Sequence, residues 1–263
     1  MQRAKGTDRM LDVLDCVMAQ NRPLTRNAIA AEIGAPRSTV YSVIETMLAR
    51  DYLEQMQPEG LIVPGSRCGL LGYAYDRHNP FGRRARHVVA KLSRQAGEVA
   101  ELDIMRGWRQ IVFISETGRG HNYRVAVEGS SSSLPQSASG RFLLQGIERS
   151  VIKANIPPVD FIMADGSETS LDQFCHHIEA AKAQGYWTAR GLIDPYIGCI
   201  ASPVYDRSMR CVATVCLVVP LPELARRETE FIAMTREAAD ELTQLSRSTN
   251  VSIDREDFGV NRR

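Results

Sequence analysis

The sequence predicts an α+β protein that opens with a winged helix-turn-helix and continues into a larger domain built on a mixed or antiparallel sheet. Three observations carry this expectation. Residues 23–48 hold two short amphipathic helices joined by a tight turn. A β-hairpin pattern follows at once, and the remaining chain runs through helix, strands, two helices, strands and a long final helix.

The first helix opens at Thr7 or Asp8, with Leu11, Leu14, Val17 and Met18 as its expected buried stripe. Thr25 is placed to cap the second helix, because its hydroxyl can accept from a free amide of the first turn. Ile29 and Ile33 fall on one side, and Gly34 ends the helix where a left-handed residue is cheap. Pro36 marks the start of the third helix, whose buried side is Val40, Ile44 and Met47, flanked by Val43 and Leu48. Its opposite side shows Arg37, Ser38, Thr39, Tyr41, Ser42 and Glu45. A buried stripe backed by short donors, a cation and an aromatic ring is what a recognition helix needs to sit in a DNA groove. A surface helix of an ordinary bundle is the plainer alternative, and the adjacent helical pair favours DNA.

Residues 52–56 form a strand pattern, Gln57-Pro58-Glu59-Gly60 a turn, and residues 61–63 a returning strand. Residues 66–75 then read as a short linker helix, Asn79-Pro80 punctuates the chain, and a helix is expected over 81–95. Beyond it, strands are expected over 99–105, 110–116, 123–127, 200–205 and 211–219, with Trp108 in the first turn. Helices fit 137–145, 171–184 and 223–246, and Ser130–Ser133 reads as a brief low-complexity loop. The domain boundaries are 1–65, a linker helix over 66–79, 80–250, and a disordered tail over 251–263.

Composition bounds the function. The chain has 263 residues, 44% hydrophobic and 24% charged, enough for two globular domains. No apolar run suffices to cross a bilayer, and the start has no signal-peptide core, so a cytoplasmic protein without a membrane partner is expected. Six cysteines without C-x-x-C spacing read as reduced thiols rather than a metal site. Residues 1–80 carry nine basic and nine acidic side chains, and the whole chain has a net charge of +1. Phosphate neutralisation by one head is therefore modest, and specific binding would rest on two heads gripping a paired site.

The motifs resemble a known family. Leu24-Thr25, Pro36-Arg37-Ser38-Thr39-Val40-Tyr41 and Asp51-Tyr52-Leu53 are similar to the winged-helix domain of IclR-type bacterial transcriptional regulators. Ser42 stands where that family usually has arginine, so its operator preferences do not transfer. Thr25, Arg26, Arg37, Ser38, Thr39, Tyr41 and Ser42 are the candidate DNA contacts. In the second domain, Leu134-Pro135 with Ser137-Ala138-Ser139-Gly140-Arg141, and Gly185-Tyr186 with Cys199-Ile200-Ala201-Ser202-Pro203-Val204, resemble the family's effector domain.

That resemblance implies a GAF-like, effector-binding domain, with helices on one face of its sheet and a small-molecule cleft on the other. It also implies a homodimer or homotetramer on double-stranded DNA with a palindromic operator, more often a repressor, answering to a small organic acid. Ala138, Ser139 and Gly140 would offer amides at a helix start, which suit a carboxylate; simple capping by Ser137 is the competing reading. Cys199 is a candidate pocket wall, and Tyr123 and Val125 candidate floor residues. The family's usual acid aligns with Ala189, beside Arg190, which would favour an anionic ligand if it faced inward, with Asp194 able to restore an acid. No cofactor or metal is expected: adjacent His176 and His177 point apart around a helix. Catalytic motifs are absent, so no enzyme is expected. A redox regulator using Cys199, or a small-ester hydrolase using Cys199 or Ser139 with His121, are the alternatives.

Overall fold

The computed structural model of the chain describes residues 5–20, 22–118 and 126–248, in two compact units divided between Asn79 and Pro80. Most of the strand expected over 123–127, His121, and the tail over 251–263 lie outside the described residues.

The first unit contains α1 (Lys5–Ala19), α2 (Arg26–Ile33), α3 (Arg37–Leu48), β1 (Leu53–Met56), β2 (Leu61–Pro64) and α4 (Ser66–His78). Thr25 caps α2 by accepting from the Ala28 amide at 3.1 Å, and Gly34 closes it with φ of 64°. A residue with a Cβ would be strained there. Pro36 sits at the cap of α3, just before its first turn, and Val40, Ile44 and Met47 are fully buried. The hairpin pairs Leu53 with Pro64 and Met56 with Leu61. Leu24 adds a third rung, donating to and accepting from Ile62 at 3.1 and 2.7 Å.

One expectation for α1 fails. Its core positions are Val13, Cys16 and Val17, while Leu11 and Met18 are 56% and 59% exposed. Apolar residues occupy two neighbouring faces of this helix, and periodicity alone does not choose between them. Packing against α2 and α3 decides.

The second unit is built on an antiparallel sheet of six strands in the order β5-β4-β3-β8-β7-β6. The chain runs through α5 (Pro80–Ala96), β3 (Val99–Arg106), β4 (Arg109–Glu116), β5 (Ser131–Ser133), α6 (Gly140–Leu143) and α7 (Arg149–Asn155). It continues through α8 (Leu171–Gln184), β6 (Trp187–Arg190), β7 (Ile197–Tyr205), β8 (Cys211–Pro220) and α9 (Leu221–Ser248). On one face, α5 and α9 bury Leu102, Ile200, Val215 and Leu217. On the other, Phe142, Phe174 and Ile178 pack with Met105, Ala201 and Cys216. Helices therefore lie against both faces, a correction to the one-sided arrangement the family resemblance implied.

Several boundaries move for local reasons. The serine-rich stretch read as a loop contains β5, whose residues pair with Arg109–Ile111 of β4. Serine has no strong strand signal, so the pairing comes from β4. The short edge strand β6 was not expected, and α7 was not either. The helix expected over 137–145 is only four residues long, with turns on either side.

Candidate functional site

In the first unit, α3 presents Arg37, Ser38, Thr39 and Ser42 to solvent. Arg37 forms no ion pair with any described residue, so its guanidinium is available. The other three candidates are already engaged. The Thr25 hydroxyl is the α2 cap. Tyr41 is half-buried and its hydroxyl donates to Asn27 Oδ1 at 2.7 Å, tying α3 to α2. Arg26 pairs with Glu45 on α3 and donates to Gln55 Oε1 on β1 at 3.2 Å. These contacts set the angle at which α3 and the wing stand. Sequence reading missed the roles of Asn27 and Gln55, because no local pattern joins them to their partners.

In the second unit, the sheet face opposite α5 and α9 holds a cluster of buried polar side chains, called the chamber below. Glu101 and Asp103 alternate on β3, so their side chains share that face, and they are only 4% and 1% exposed. Their cross-strand neighbours on β8 are Cys216 and Thr214, and Ser115 on β4 faces Glu101. Ser139 Oγ donates to Asp103 Oδ2 at 2.7 Å and accepts from Thr214 Oγ1 at 2.8 Å. Cys216 Sγ lies 3.0 Å from the same hydroxyl.

Burial disfavours charge in this chamber. It raises Glu101 well above the usual carboxylate range, with the neighbouring Asp103 adding to the rise. Asp103 rises from 3.8 to about 6, burial outweighing the Ser139, Cys216 and Gln110 side chains that favour its charged form. The Cys199 thiol is raised strongly, by burial first and then by Glu101 and Asp103. Such a thiol is a poor nucleophile, which removes support from redox sensing or hydrolysis at Cys199.

The expected effector residues divide. Ser139 and Cys199 belong to the chamber. Ala138 and Gly140 are buried beside it, and a Cβ on Gly140 would lie 1.9 Å from the Leu134 carbonyl oxygen, so only glycine fits. Of the three amides expected to hold a carboxylate, that of Gly140 is used internally. Ser137 Oγ accepts from the Gly140 amide at 3.0 Å, and the Arg141 and Phe142 amides donate to Ala138 and Ser139 carbonyls. Ser137 therefore caps this segment through the Gly140 amide, as the competing reading expected.

Arg190 also departs from expectation. It lies on the strand next to buried Ala189, points the other way, and pairs with Glu228 of α9 at 2.6 Å. Asp194 is exposed and accepts from the Tyr196 amide at 2.8 Å, closing its own turn. Tyr123 and Val125 lie outside the described residues. His177 stacks on Trp187 with ring centroids 4.9 Å apart, and the described residues contain no group of three or more side chains placed to hold a metal.

Sequence reading missed Glu101, Asp103, Gln110, Ser115, Thr214 and Cys216. The signal was present: two carboxylates two apart inside an apolar strand, V-A-E-L-D-I-M, share one buried face.

A winged helix-turn-helix followed in the chain by an antiparallel sheet domain is the architecture of a DNA-binding transcriptional regulator. Two family descriptions match: "IclR helix-turn-helix domain" over residues 6–57 and "Bacterial transcriptional regulator IclR C-terminal" over 74–244. The chain belongs to the IclR family of DNA-binding transcriptional regulators. It is 26% identical over 244 residues to the HTH-type transcriptional regulator BhcR of Paracoccus denitrificans, covering 92% of this chain and 86% of that protein. Among solved structures, an IclR transcriptional regulator from Alicyclobacillus acidocaldarius superposes with a TM-score of 0.82 at 19% identity, covering 93% of this chain and 99% of that one. An IclR homologue from Microbacterium hydrocarbonoxydans, solved in complex with 4-hydroxybenzoate, gives 0.73 at 18% identity, covering 93% and 100%. No described helix is long and apolar enough to cross a membrane.

Proposed function

We propose that this IclR-family chain is a repressor whose grip on a palindromic operator is set by a small organic effector bound in the chamber of its second unit. The head reads DNA through Arg37, Ser38, Thr39 and Ser42, while Thr25, Arg26 and Tyr41 hold the reading helix in place and can reach the backbone. Ser139, Cys199 and the residues beside them form the effector wall. A homodimer, or a tetramer of paired dimers, supplies the two heads that a near-neutral domain needs for tight binding.

The observation that carries this reading is the buried chamber with its unpartnered polar atoms: Glu101 Oε1, Asp103 Oδ1, Gln110 Oε1 and Ser115 Oγ have no hydrogen-bond partner. A purely architectural domain seldom leaves such atoms buried, since each costs about 1–3 kcal/mol. A relative solved with 4-hydroxybenzoate supports ligand control in general. The resemblance implies a small organic acid, and the buried Glu101 and Asp103 carboxyls weigh against an anion seated directly beside them.

The mechanism requires that effector bind one arrangement of the heads better than another, because equal affinity shifts nothing. Fluorescence anisotropy with DNA from beside the protein's own gene, against scrambled DNA, tests this with and without a metabolite extract. A preference of at least tenfold for the native DNA, altered by the extract, is expected. Equal binding to both DNAs, or indifference to the extract, defeats the proposal.

A further inference from the structure

We infer that the chamber takes a small molecule bearing a positively charged nitrogen with two or more N–H donors, seated between the Glu101 and Asp103 carboxyls. This rests on the reading above that the chamber is the effector site.

The donor and acceptor inventory points one way. Glu101 Oε1, Asp103 Oδ1, Gln110 Oε1 and Ser115 Oγ are unpartnered; the Asp103 carboxylate and Gln110 carbonyl oxygens only accept, the ionised Glu101 carboxyl does too, and the one hydroxyl can donate or accept. Ser139 has already given its proton to Asp103 Oδ2. The chamber therefore asks its ligand for donors.

Charge narrows the ligand further. A buried carboxylate is costly without a countercharge, and no described cation pairs with Glu101 or Asp103. Arg141, the most buried arginine, is engaged elsewhere: it donates to the Pro135 and Ser137 carbonyls at 2.8 and 2.5 Å, and lies over the Phe174 and Trp187 rings. Burial raises both carboxyls, Asp103 to about 6, and any negative charge the pair carries has no countercharge beside it. One ammonium or amidinium group balances it. A carboxylate ligand would add like charge, and a neutral alcohol would satisfy acceptors while leaving the charge uncompensated. A metal ion fits poorly, since no group of three ligating side chains exists among the described residues.

The test uses the full chain and shape-matched probes at equal ionic strength: benzylamine and butylamine against benzyl alcohol, butanol, benzoate and butyrate. Thermal shift and calorimetric titration should show saturable binding of the amines and at least tenfold weaker binding of the alcohols and acids. Glu101→Gln and Asp103→Asn keep the side-chain shapes and should each weaken the amine at least tenfold while melting cooperatively. Equal or better binding of the acids or alcohols overturns the inference. So does an amine response that persists in both variants, or no response to any probe. The regulatory reading fails separately: an amine that binds the chamber without changing operator affinity leaves the cation assignment standing and removes the gating role.

Discussion

Replacing Arg37 by alanine isolates what the reading helix contributes. The side chain is exposed and pairs with no described residue, so its loss should change the stability of the first unit by no more than about 0.5 kcal/mol. On DNA the same guanidinium would contact a phosphate or a base edge. A bidentate base contact is worth about 1–3 kcal/mol, and in a dimer both heads lose it. Operator affinity should therefore fall by about 2–6 kcal/mol, between roughly thirtyfold and twenty-thousandfold. Anisotropy over a salt series separates the two kinds of contact. A lost phosphate contact lowers the salt slope by about one per head and weakens all sequences alike, whereas a lost base contact relaxes the preference at one position. Arg26→Ala is the control. Its pair with Glu45 is open to solvent on the Glu45 side (60% exposed, against 25% for Arg26) and worth about 1 kcal/mol, so the change should cost modest stability and a smaller loss of affinity through a misset α3. Unchanged affinity for Arg37→Ala at every salt concentration would refute the placement of α3 in the groove.

Other outcomes follow from burial. Ile44→Ala, at a fully buried position of α3, should destabilise the first unit by about 2–5 kcal/mol, read by chemical denaturation. Asp103 sits above its ordinary value, so the native state holds its proton more tightly than the unfolded chain does. Its contribution to stability is therefore lost as pH rises from about 4 to about 6, by up to about 3 kcal/mol. Asp103→Asn should flatten that slope and raise the melting temperature of the second unit at pH 7, as calorimetry would show; an unchanged slope counts against the buried charge. Cys216, buried and with its thiol raised, should react with a thiol reagent at pH 8 only after unfolding, and Cys199, part-exposed but raised, more slowly than a free thiol; rapid native labelling at Cys199 would restore the redox reading.

Much of the first unit was legible because local chemistry decides it. Thr25 and Gly34 bound α2, and the buried stripe Val40, Ile44, Met47 falls where its spacing puts it. Leu11 and Met18 misled, since α1 has apolar residues on two faces and tertiary packing chooses. In the second unit the long strands and α8 were legible, whereas β5 exists because β4 recruits three serines. The site was harder to read. Arg190 and Asp194 looked like pocket residues in one dimension, but the two-residue alternation of β6 sends Arg190 toward Glu228, and Asp194 closes a turn. The chamber depends on β3, β4, β8 and the α6 segment meeting, and no single segment announces that meeting.

The coupling of chamber to reading helix is tested most directly by one comparison: the change in operator affinity that a metabolite extract produces in the wild-type chain and in Cys199→Leu, which fills the chamber wall without adding charge. The account predicts that both bind the operator with similar affinity in the absence of extract and that only the wild type responds. A variant that responds as fully as the wild type would contradict it.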